Sequence, residues 1–153
     1  MTQHHPKILF VLADGAHARM VRRSAETGDF VTVREIDGGG HLRAAHVKAK
    51  SHPSGRSFQS ASPSRSAVGA DDPYRQVKMD FMGRIAEAAE TLAAEDGSAG
   101  VVLIATRRLL PELRRDMGSG VRVLGQLAKD LIKVPDHALV EWLGPLEMFP
   151  QEA

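Results

Sequence analysis

An α/β domain with a mixed sheet (α+β in the arrangement of its first half), three antiparallel strands followed by alternating helices and strands, is the fold class predicted here. Three observations predict it. Two short, continuously apolar runs, Ile8 to Ala13 and Gly100 to Ala105, read as strands covered on both faces. Between the turn signals Asp14-Gly15 and Glu26-Thr27-Gly28-Asp29 the residues alternate with the period of a strand. From Pro73 onward, apolar residues recur at helical spacing.

The first run is bounded by Asp14-Gly15, a strong turn signal, so a hairpin follows it. In that next segment Ala16, Ala18 and Met20 share one parity, and His17, Arg19, Val21 and Arg23 share the other. Phe30, Val31, Val33 and Ile36 form a third β-rich run. From about 38 to 72 no period is legible, and Gly38-Gly39-Gly40, Pro53, Gly55, Pro63 and Gly69 punctuate the segment. A loop of that length inside one domain is uncommon and is usually functional or disordered. Asp72-Pro73 then predicts a helix start, Val77, Phe81, Ile85, Ala88 and Leu92 its apolar stripe, and Asp96-Gly97 its end. After the second buried strand, Arg107 to Met117 reads as a helix and Val121 to Gly125 as a short strand. Residues 126–134 are ambiguous, and Pro135-Asp136 opens a last helix through Trp142. The predicted order is βββ-loop-αβαβα.

The chain has 153 residues, enough for a single domain around one core. It has no cysteine, which excludes disulfides, thiolate metal sites and thiol nucleophiles. The six-residue apolar run near the N-terminus is too short for a secretion signal, and no window approaches a membrane span, so a soluble, cytoplasmic protein is expected. Net charge is only +1, from 20 basic and 19 acidic residues. Its distribution is uneven: between Asp37 and Asp71 there is no acid, yet Arg43, Lys48, Lys50, Arg56 and Arg65 lie there. A basic loop therefore extends from a body that is mildly acidic.

The residues argue against several chemistries. Gly38-Gly39-Gly40 lacks the spacing and lysine of a phosphate loop. His41, His46 and His52 match no metal-ligand spacing, and no acid joins them. Ser57 or Ser60 as nucleophile lacks an acid to orient a histidine base. Asp14, Asp37 and Asp130 form a conceivable carboxylate set, but Asp14 and Asp37 are better explained by their turn and strand-end positions. No metal and no cofactor are implied. What the loop does offer is cations for phosphate, small residues for close backbone approach, and Phe58 as a ring to stack or anchor, which points to RNA.

Asp14-Gly15-Ala16 with Ala18-Arg19, Gly55-Arg56-Ser57-Phe58 with Ser60, and Ala128-Lys129-Asp130-Leu131 resemble the motifs of the host attachment protein family, "protein required for attachment to host cells". The resemblance runs from about Lys7 to Leu143. That family is in turn similar to the middle domain of archaeal and eukaryotic peptide-chain release factors and their bacterial relatives. The resemblance implies a ribonuclease H-like mixed sheet and a loop directed at tRNA or the ribosome. Gly55 is followed by Arg56 and Ser57 where release factors carry Gly-Gly-Gln, so the resemblance does not extend to peptide release.

The expectation is thus a non-catalytic RNA-binding domain. Arg43, Lys48, Lys50, Arg56 and Arg65 would meet phosphates, Gly55, Ser57 and Ser60 would shape the approach, and Phe58 would stack. A hydrolase of peptidyl-tRNA or RNA using Gln59 or Asp14 is the alternative, and an indirect adaptor in attachment is the third reading. Asp14, Arg19, Lys129 and Asp130 are further read as a polar cluster tying the first hairpin to the late segment.

Overall fold

The computed structural model describes residues 7–38 and 73–147. Strands β1 (Ile8–Ala13), β2 (His17–Arg23) and β3 (Phe30–Asp37) are followed by helix α1 (Pro73–Asp96), β4 (Gly100–Ala105), α2 (Leu110–Asp116) and β5 (Val123–Ala128). A 3-10 turn at Asp136–Ala138 and a short helix α3 (Val140–Leu143) close the described chain. The five strands form one mixed sheet in the order β3-β2-β1-β4-β5. β2 runs antiparallel to both β1 and β3, whereas β4 is parallel to β1 and β5 to β4.

Both faces of the sheet are covered, and this explains the two continuous apolar runs. Leu9, Val11 and Ala13 of β1 and Val101, Leu103 and Ala105 of β4 join Ala18 and Met20 beneath α1 and α2. The alternate residues Ile8, Phe10, Leu12, Val102 and Ile104 join Val21 and Phe30 on the opposite face, under Leu131, Leu139, Leu143 and Leu146. Leu9, Leu12, Leu103 and Ile104 are fully buried, and truncating such a side chain to alanine costs about 2–5 kcal/mol. On the second face the rings of Phe10 and Phe30 meet edge-on, with centroids 5.6 Å apart.

The strand parity of β2 has a further effect. Arg19, Val21 and Arg23 share the face covered by the C-terminal segment, so two arginines flank an apolar residue beneath a chain that must neutralise them. Arg23 forms a two-pronged pair with Glu147, at 2.7 and 2.8 Å, and its guanidinium lies 4.4 Å from the centre of the Phe30 ring. Hydrogen bonding to Glu147 raises the Arg23 pKa, and burial opposes it. Arg19 makes the corresponding contacts with Asp136, as described below.

The long helix ends where the sequence predicts. Gly97 has φ +67°, which a side chain would strain, and the amides of Ser98 and Gly97 donate to the carbonyls of Ala93 and Ala94 at 2.9 and 3.3 Å. Its buried stripe is rotated from the expected one: Phe81, Met82, Ile85, Ala86, Ala89 and Ala93 are buried, while Ala88 and Leu92 are only partly so. The small side chains of Ala86, Ala89 and Ala93 let the helix approach the sheet closely, and packing overrides the bulkier row.

Three boundaries differ from the reading of the sequence. Helix α2 begins at Leu110 rather than Arg107, because Leu109 and Leu110 both donate to the Thr106 carbonyl in a turn, and Pro111, which has no amide hydrogen, suits only a first helical turn. The last strand is Val123–Ala128 rather than 121–125. Its register against β4 shifts between Val101 and Val102, with Val101 opposite Val123 and Val102 opposite Gly125. The final helix is split into the 3-10 turn and α3: Pro135 stands at the capping position and has no side-chain group to cap it, and the Asp136 side chain turns to β3.

Candidate functional site

β1, β3, β4 and β5 all point one way, so their carboxyl ends share one edge of the sheet. From β1 the chain builds outward to β2 and β3 on one side, and to β4 and β5 on the other. Strand order thus reverses between β1 and β4, the position at which open α/β sheets leave a crevice for ligands. Asp14, Gly38, Thr106 and Lys129 directly follow these strand ends. The segment 39–72 leaves from Gly38 and re-enters at the start of α1.

The departing end of that segment is fastened at this edge, and the first turns of α1 lie beside it. The Gly38 amide donates to the Ala16 carbonyl at 2.7 Å, and a Cβ on Gly38 would lie 2.9 Å from the Phe81 ring. Phe81 is eight residues into α1, about 12 Å along the axis from its first residue at 1.5 Å per residue. A Cβ on Gly15 would lie 3.4 Å from the Lys78 side chain, so the hairpin turn and the first turns of α1 are also neighbours.

Asp14 organises the turn after β1. Its Oδ1 accepts from the amides of Ala16 and His17 at 2.8 and 2.6 Å. The His17 ring stands between two carboxylates, with Nδ1 3.6 Å from Asp14 and Nε2 3.7 Å from Asp37. Among the described residues no group of three or more His, Asp or Glu side chains is placed to hold a metal ion.

The other members of the expected polar cluster have separate partners. Arg19 donates to Asp136 Oδ1 at 3.2 Å, to the Leu131 carbonyl at 2.9 Å and to the Val134 carbonyl. Asp136 also accepts from the Thr32 hydroxyl and amide at 2.6 and 3.0 Å. Burial pushes the Asp136 carboxyl upward, but the two bonds from Thr32 and the charges of Arg19 and His137 outweigh it and hold the pKa below its usual value. Burial lowers the Arg19 guanidinium from its usual value, with Asp136 and Glu35 opposing. The Lys129 ammonium lies 4.6 Å from the centre of the Trp142 ring, and Asp130 Oδ1 accepts from the Ile132 amide at 3.2 Å. Arg19 does tie the first hairpin to the late segment, and Asp136, not Asp130, is the acid that meets it.

Arg43, Lys48, Lys50, Gly55, Arg56, Ser57, Phe58, Gln59, Ser60 and Arg65 lie outside the described residues. What the sequence reading missed is a cleft of about 320 Å³ between the start of α1 and the entry to α2, lined by Arg75, Lys78, Met79, Met82, Arg108 and Leu109, with Glu112 at its side. A signal for it was present. Arg75, Lys78, Met79 and Met82 stand at i, i+3, i+4 and i+7, one stripe of a helix, and Arg107-Arg108 directly follows the exit of a buried strand.

Fold and site define a mixed α/β domain whose carboxyl-end crevice is flanked by cations and by both ends of a long basic segment. Over residues 9–143 the chain matches the family described as "Protein required for attachment to host cells", and it belongs to that family. The match does not extend to the release factors. No curated protein matches it. Among solved structures it is similar to the Aquifex aeolicus PPX-GPPA enzyme, with 10% identity and a TM-score of 0.44 over 82% of this chain and 36% of that one. It is also similar to the type II variant of the Aquifex aeolicus Ppx/GppA phosphatase, with 11% identity and a TM-score of 0.42 over 80% and 36% of the two chains. A structure described as an archaeal protein gives 14% identity and a TM-score of 0.39 over 96% and 37%. The chain spans little more than a third of the length of these structures. Similarities this distant define neither its fold nor its function. No helix among the described residues is long and apolar enough to cross a membrane.

Proposed function

We propose that this member of the attachment family is a non-catalytic RNA-binding domain of the translation-factor type, its ligand tRNA or the ribosome, engaged through the basic segment 38–72. What supports the reading is where the described chain stops and resumes on either side of that segment. Its departure at Gly38 and its return at α1 both lie at the carboxyl edge of the sheet, beside Arg75, Lys78 and Arg108. Five cations, with no acid between Asp37 and Asp71, lie in the sequence between those two points, and three more stand on the body, enough to follow a phosphate backbone over several nucleotides. The strand order with β2 opposed to its neighbours supports the ribonuclease H-like reading of the sheet.

The test is RNA affinity against salt. Bulk tRNA and ribosomes bound by the wild-type chain should dissociate more readily as salt rises. A variant with Arg43, Lys48, Arg56 and Arg65 changed to alanine should bind more weakly and with a shallower salt dependence. Affinity that ignores salt, or a variant that binds like the wild type, refutes the reading. The family description favours a second reading, an indirect role in attachment of the bacterium to host cells, for which the RNA-bound protein would act upstream.

A further inference from the structure

We infer that the cleft between α1 and the entry to α2 is a nucleotide-binding site, with the phosphate held by Arg75, Lys78 and Arg108 and the base lying against Met79 and Leu109, over the buried Met82. The volume of about 320 Å³ falls at the small end of the roughly 300–1,000 Å³ typical of small-ligand sites. Three of the lining side chains are cations and one is an acid. That acid, Glu112, is already engaged by Arg115 at 2.8 Å, so the positive field in the cleft is little opposed. An arginine can grip a phosphate with two parallel bonds, and a lysine adds a point charge.

The remaining lining decides what else the ligand carries. Met79 and Leu109 are half-buried and Met82 lies fully buried behind them, so the accessible floor that these two form is apolar and polarisable. Inorganic phosphate would leave that floor wet, whereas an aromatic base would cover it, with thioether sulfurs at its face or edge. A phosphate joined to a flat ring satisfies both halves of the cleft. Such a ligand has two sources: a free nucleotide, or one unstacked nucleotide of a bound RNA. For the second source the inference rests on the RNA-binding reading; for the first it stands without it.

The experiment titrates the full chain with the four nucleoside 5′-monophosphates, with inorganic phosphate and with a single-stranded ribonucleotide decamer. Heat is recorded together with the methyl resonances of Met79 and Met82. At least one monophosphate should bind tenfold or more tighter than inorganic phosphate and shift both methyl signals. Lys78→Ala and Arg108→Ala should each weaken it by roughly ten- to a hundredfold, the loss expected for one hydrogen bond to a charged group. Arg34→Ala, an exposed residue of β3 that does not line the cleft, should leave it within about twofold, an exposed charge away from the cleft contributing little. A decamer that shifts the same methyls and binds tighter than its monomer assigns the site to RNA. A monomer that binds as tightly as the decamer assigns it to free nucleotide and counts against the loop reading. Inorganic phosphate that binds as well as any nucleotide, unmoved methyl signals, or unaltered affinity in Lys78→Ala and Arg108→Ala overturns the inference. If tRNA binding persists with its salt dependence in those last variants, the reading of the loop survives that loss.

Discussion

Replacing Asp136 by alanine removes the acceptor for three donors at once: the Thr32 amide at 3.0 Å, the Thr32 hydroxyl at 2.6 Å and Arg19 at 3.2 Å. The Arg19 side chain is only 13% exposed and would keep its charge with two backbone carbonyls and the Thr32 hydroxyl, with no carboxylate bonded to it. A hydrogen bond to a charged group contributes about 1.5–3 kcal/mol. Asp136 itself is 39% exposed, so water replaces part of what is lost, and the bonds are not additive. The expected loss is therefore about 2–3 kcal/mol, nearer one such bond than three. At roughly 2–4 °C per kcal/mol for a chain of this size, the melting temperature should fall by about 5–10 °C. Urea unfolding followed by circular dichroism would measure it. The sign of the pH dependence follows from the lowered carboxyl pKa. The stabilisation is present above the unfolded value, near 3.9, and is lost as the pH falls through the folded value. The gap between wild type and variant should thus be full at pH 7 and narrow below about pH 4. A loss under about 0.5 kcal/mol at pH 7, in the range of an exposed ion pair, would refute the view that this carboxylate straps the late segment to the sheet.

Glu147→Gln keeps the shape of the Arg23 partner and removes its charge; a loss of about 1–2 kcal/mol in urea unfolding is expected, since the acid is buried and hydrogen-bonded at both oxygens. Gly38→Ala places a Cβ 2.9 Å from the buried Phe81 ring, which must shift; about 1–3 kcal/mol should be lost, and hydrogen exchange should quicken in the first turns of α1. Gly100→Ala meets the Arg122 carbonyl at 2.6 Å, a backbone atom that the β4 to β5 pairing holds in place, so amides of β5 should lose protection.

How much of this was legible in the sequence depends on what each segment buries. β1 and β4 could be read directly because both of their faces are covered, which forces an unbroken apolar run. The parity of β2 also stood in the letters, with Ala18 and Met20 against Arg19 and Val21. β5 is a half-buried edge strand without alternation, and its bounds come from pairing with β4 rather than from its own pattern. Of the ambiguous residues 126–134, the first three belong to β5 and the rest repeat no geometry: they offer Arg19 two carbonyls and, two residues on, a carboxylate. A contact across more than a hundred positions leaves no local signature. The cleft was missed for a different reason. Arg75 and Lys78 fall on the polar side of an amphipathic helix, where charge is ordinarily solvated, and only the arrival of Arg108 from the end of β4 turns that side into a site.

The central claim is that the segment 38–72 and the cations beside its ends form one surface for RNA. Its most direct test is crosslinking in living cells, followed by sequencing of the bound RNA and mapping of the crosslinked peptides. tRNA or ribosomal RNA joined to peptides from 38–72 and from the start of α1 is the predicted result. Recovery of no RNA above background, or RNA joined only to peptides distant from the carboxyl edge of the sheet, would contradict it.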